Sequence, residues 1–69
     1  MKVKDVKIGK RVKCLQDSED VIPQGAEGVL IESEDYVPYV SWDNSYEGTY
    51  EMHGYKNVYA LVHHQLEEI

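Results

Sequence analysis

Apolar and polar residues alternate along the opening of the chain. Val6, Ile8, Val12 and Cys14 fall on even positions, with Lys7, Gly9, Arg11 and Lys13 on odd ones. A period of two marks a half-buried strand, and here it sets Lys7, Arg11 and Lys13 together on the outer face. Residues 16–25 are polar and acidic and end on Pro23 and Gly25, the composition of a long, mobile loop. Gly28-Val29-Leu30-Ile31 has no polar side chain, which predicts a central strand covered on both faces. Glu34-Asp35 predicts a tight hairpin into a second alternating run, residues 36–43, where Tyr36, Pro38, Val40 and Trp42 share a face. Pro38 brings no amide to a ladder, so its nitrogen side is expected to face no partner strand.

Asn44-Ser45 predicts the next turn, residues 48–52 a short strand, and His53-Gly54 a further turn. Val58-Tyr59-Ala60-Leu61-Val62 predicts another strand. His63-His64-Gln65 is too short for a helix and fits one 3₁₀ turn before Leu66-Glu67-Glu68-Ile69. Five or six short strands without a helix predict an all-β fold, a small SH3-like barrel forming a single domain over residues 1–69. The inward phase of these strands puts Val12, Val29, Ile31, Val40, Ala60 and Leu66 in the core. Gly28 starts its strand where a neighbouring backbone is expected too close for a Cβ.

Charge divides the chain. Residues 1–13 hold six Lys and Arg against one acid, a net +5, whereas residues 14–69 hold Lys56 against twelve acids, a net −11. Opposite poles suit head-to-tail association or a partner touched by one pole. Phenylalanine is absent and tyrosine occurs six times. A single cysteine allows no internal disulfide and fits a reducing compartment, so the expected location is cytoplasmic. The first residues alternate Lys with Val, unlike a signal peptide, and no apolar run approaches the roughly 20 residues of a membrane span.

The skeleton Gly9…Pro23-x-Gly25-x-x-Gly28-Val29…Val40-x-Trp42-Asp43 is similar to KOW-like and mind-bomb-type SH3-like domains. It also resembles the small uncharacterised SH3-like proteins of bacteria and their phages. The run from Tyr59 to Ile69 resembles the strand, 3₁₀ turn and final strand that finish SH3 domains. The resemblance covers most of the chain and implies the fold, with an accessory role in which a phage or mobile-element protein binds or inhibits a host protein. The aromatic opening that walls a polyproline groove is missing, because the first strand reads Lys10-Arg11-Val12-Lys13-Cys14. The basic loops of RNA-binding KOW modules are replaced by Asp17, Glu19, Asp20, Glu32, Glu34 and Asp35.

No residue pattern here carries chemistry. Nucleophilic catalysis needs a Ser or Cys beside a base and an orienting group, and Cys14 falls in an inward position. His53, His63 and His64 lack metal-ligand spacing. The expectation is a protein without enzymatic activity, cofactor or metal. The function expected is protein–protein interaction with another, basic protein, through Tyr39, Trp42, Asp43, Tyr50 and Glu51. Tyrosine and tryptophan combine large contact area with a polar tip, and acids steer a basic partner. The alternative is a KOW-like accessory domain that binds nucleic acid or ribonucleoprotein through Lys7, Arg11 and Lys13.

Overall fold

The computed structural model describes residues 8–15, 21–34, 37–62 and 65–69. It is all-β. Six strands run in the order β1 (Arg11–Cys14), β2 (Glu27–Glu34), β3 (Val37–Trp42), β4 (Tyr50–Met52), β5 (Tyr55–Ala60) and β6 (Leu66–Glu68). Every pairing is antiparallel, and the sheet order is β4-β5-β3-β2-β1-β6. Neighbours in sequence are therefore neighbours in the sheet, except that β5 passes β4 to reach β3 and β6 returns beside β1. The amide of Gln65 donates to the Val62 carbonyl at 3.0 Å, the i to i−3 spacing expected of a 3₁₀ turn before the last strand. His63 and His64 lie outside the described residues.

One face of the sheet holds the core. Val12, Cys14, Ile22, Ala26, Leu30, Val40, Trp42, Leu61 and Leu66 form one buried cluster, with Val21, Tyr46 and Tyr59 packed against it. The alternation read along residues 36–43 is seen directly, since Pro38, Val40 and Trp42 are all buried while Tyr39 and Ser41 point the other way. Each fully buried branched side chain contributes roughly 2 kcal/mol by leaving water.

Three core expectations are corrected. Val12, Val40 and Leu66 are buried as expected, but Val29, Ile31 and Ala60 are only half-buried. Val29 pairs with Ser41, and Ala60 pairs with Tyr39, on the face away from the core. The inward residues of β2 are Gly28, opposite Trp42, and Leu30, opposite Val40. The register then shifts between Leu30 and Glu32, so the bulge at Ile31 breaks the alternation. Val29→Ala is accordingly expected to cost about 1 kcal/mol or less in a urea unfolding experiment, well below Leu30→Ala. Equal losses at the two positions would reverse this assignment.

The expected loop over residues 16–25 is also corrected where the structure describes it. Ile22 is fully buried within the core, and the Gly25 amide donates to the Cys14 carbonyl at 2.8 Å. Residues 16–20, like Asp35 and Tyr36 of the expected hairpin, lie outside the described residues; Glu34 pairs with Val37 across that hairpin. Pro38 keeps its carbonyl in use, accepting from the Leu61 amide at 3.2 Å. Leu61 is the first residue past β5, so the missing proline amide falls at the end of the ladder.

β5 begins at Tyr55, three residues before the start expected at Val58. Asn57 lies in the left-handed region at φ 58, which asparagine tolerates better than most residues. It occupies the register shift between the Tyr50–Val58 and Met52–Tyr55 pairs and bends the strand. The turn joining β4 to β5 is His53-Gly54, both at positive φ (51° and 84°), the arrangement favoured in tight two-residue hairpins.

Candidate functional site

The face of the sheet away from the core carries the surface groups. Cross-strand partners share a face, so Tyr50, Val58, Ser41, Val29 and Arg11 make one row across β4, β5, β3, β2 and β1. Ala60, Tyr39 and Glu32 make a second row. Val58 is fully buried yet stands apart from the main core cluster. Ser41 Oγ donates to the Lys56 carbonyl at 2.7 Å, and His53 Nε2 lies 3.5 Å from Glu32 Oε2. Glu32 is on β2, beyond β3 from the hairpin, so the bent hairpin folds across the outer face of β3.

The tyrosines divide between the two faces. Tyr46 and Tyr59 pack on the core. Tyr39 is half-buried on the outer face, and Tyr50 and Tyr55 are 43% and 48% exposed. Burial pushes the Tyr50 hydroxyl pKa above its ordinary value, and the neighbouring Tyr39 adds to the rise. Tyr39 on β3 and Tyr50 on β4 thus share this face, one on either side of β5.

Trp42 does not belong to this surface. It is 2% exposed, lies in the core, and donates from Nε1 to the Tyr59 carbonyl at 3.2 Å. The even-numbered alternation that turns Val40 inward turns Trp42 inward too. Asp43 is exposed but occupied. Both of its carboxylate oxygens accept from Arg11, at 3.0 and 2.7 Å, and Glu27 accepts from the same guanidinium at 3.3 Å. Glu51 is exposed on the edge strand β4, and strand alternation turns it away from the Tyr50 side.

Arg11 holds the Asp43 carboxyl below the ordinary aspartate value of 3.8, with the hydrogen bond as the largest cause. Asp43 in turn, with Glu27, pushes the guanidinium further toward the charged state. A lowered carboxylate pKa adds stability that is full above the unfolded value and is lost as pH falls through the folded one. The expected result is a small loss of stability below about pH 4 that Asp43→Asn removes. The pair is solvent-exposed, so a large effect in an acid titration of the two proteins would contradict this geometry.

Of the basic residues proposed for nucleic acid, only Arg11 is held in an ion pair among the described residues. Arg11 is held by two carboxylates, Lys13 stands in register between Glu27 and Glu67, and Lys7 lies outside the described residues. A shallow open groove runs between the Pro23 turn and the loop after β3, lined in part by Glu27, Asp43, Asn44 and Tyr46. Its two carboxylates are the ones already holding Arg11. No described helix is long and apolar enough to cross a membrane. Comparison with models of known families, with curated proteins and with solved structures yields no match.

Proposed function

We propose that this chain is a non-catalytic protein–protein interaction module of SH3-like type, with Tyr39 and Tyr50 as contact residues. The observation that carries the reading is Tyr50, 43% exposed on the same outer sheet face as half-buried Tyr39. Large aromatic side chains with a hydrogen-bonding tip are the usual anchors of interfaces. A meander whose final strand returns beside the first, after a bond of 3₁₀ spacing, supports the SH3-like reading. Trp42, Asp43 and Glu51 leave the contact set, the first for the core, the second for Arg11 and the third for the opposite side of β4. The resemblance to small bacterial and phage proteins supports an accessory role, binding or inhibiting a host protein. A buried Cys14 thiol outside any disulfide fits work in the cytoplasm.

The test is capture of a partner by the tagged protein from the cells that produce it. Tyr39→Ala combined with Tyr50→Ala is expected to abolish capture with the fold intact by circular dichroism. Arg11→Ala combined with Lys13→Ala is expected to leave capture unchanged. Loss of binding in the basic variant alone, together with steep salt dependence on a DNA or RNA probe, would transfer the function to nucleic acid.

A further inference from the structure

We infer that the partner presents arginine, and that its guanidinium seats against Tyr39 and Tyr50 with Glu32 as counter-charge. This rests on the interaction reading above and adds the chemistry of what is bound. Glu32 is the cross-strand partner of Tyr39, so its carboxylate shares the outer face with the ring. Its side chain is 39% exposed, with the exposed ring of His53 3.5 Å away. A cation over a tyrosine face is drawn by the ring's negative quadrupole, and a carboxylate alongside completes its neutralisation. The wider field agrees. From Cys14 to Tyr55 the sequence has no lysine or arginine, and the chain carries a net charge of −6.

The same sheet face already shows how it grips this group. Arg11 is held there by both oxygens of Asp43 and one of Glu27, in the two-pronged geometry that a planar guanidinium provides and an ammonium does not. Arginine also stacks flat on aromatic rings, which selects it over lysine at a tyrosine pair. Asp43 and Glu27 are filled from within the chain. Half-buried Tyr39, exposed Tyr50 and partly exposed Glu32 make the corresponding aromatic-acidic set on that face.

The experiment uses the whole chain and three blocked, fluorescently labelled peptides: alternating Arg and Ser, alternating Lys and Ser, and alternating Glu and Ser. The arginine peptide is expected to bind saturably at one site, the lysine peptide at least about fivefold more weakly, and the glutamate peptide not at all. Tyr39→Phe and Tyr50→Phe keep the ring faces and are expected to retain binding. Tyr50→Ala and, separately, Glu32→Gln are each expected to weaken it by about tenfold. Backbone amide shifts on titration should cluster at residues 32, 39 and 50, which holds even if one variant folds poorly.

Equal affinity for the arginine and lysine peptides, unchanged by Tyr50→Ala and Glu32→Gln, would reduce the effect to general attraction by net charge and overturn the inference. Concentration-dependent self-association blocked by the same substitutions would assign the face to a second copy, with the same consequence. Tighter binding to an RNA or DNA probe than to the arginine peptide would also overturn it. If partner capture depends on Tyr39 and Tyr50 while no arginine peptide binds, the interaction reading stands and only this inference fails.

Discussion

Replacing Gly28 with alanine is expected to destabilise the protein by about 3 kcal/mol, at the upper end for overpacking a tight interior. A Cβ built there would lie 2.6 Å from the Ser41 carbonyl oxygen, 2.8 Å from Val40 Cγ1 and 2.9 Å from Trp42 Cα. Two of these three atoms are backbone of the paired strand β3, which cannot step aside without opening the β2–β3 ladder. In a domain this small the loss corresponds to a fall in Tm of roughly 12–24 °C. Gly28→Val adds two methyl groups to the same clash and is expected to prevent folding. An alanine variant melting within about 2 °C of the parent would show that the strands do not approach as closely as described.

Trp42→Ala is the second large effect. Removing a buried indole typically costs about 4 kcal/mol, and a chain of this length holds roughly 3–10 kcal/mol in all. The variant also leaves the Tyr59 carbonyl without the indole donor that reaches it at 3.2 Å. It is therefore expected to be largely unfolded by circular dichroism at ambient temperature. Because the chain has a single tryptophan, the intact protein offers an independent check. Its emission should be blue-shifted and poorly quenched by acrylamide. Solvent-like emission with free quenching, or a stable alanine variant, would return Trp42 to the surface.

How much of this was legible in the sequence depends on whether hydrophobicity carried a phase. Along β3, Pro38, Val40 and Trp42 alternate with Tyr39, Ser41 and Asp43, and the buried face follows at once. The same alternation places Trp42 inward, so its assignment to a contact surface conflicted with its neighbours. Gly28-Val29-Leu30-Ile31 has no such phase. With no polar side chain at any of its positions, the period of two is silent, and the inward place of Gly28 leaves no hydrophobic mark. Ile22 was hidden by its polar surroundings, and the early start of β5 by Asn57, whose left-handed backbone suits a turn or a bulge equally. Tyr39, Tyr50 and Glu51 could be picked out as candidates. The engagement of Asp43 by Arg11, 32 positions away, depends on β1 and β3 flanking β2, which no local pattern reveals.

The pairing of β6 with β1 sets the order in which the protein can assemble. β1–β2, β2–β3 and β4–β5 join strands adjacent in sequence, whereas Cys14 meets Leu66 only across most of the chain. Closing a loop that long adds little equilibrium cost, since each doubling of length costs about 0.6 kcal/mol, but distant pairings are slow to find. β6 is thus expected to arrive last, which leaves the edge of β1 that it covers open until then. An open edge accepts any matching strand, including β6 of another copy. At high concentration the same contacts that finish the monomer would produce dimers with exchanged final strands.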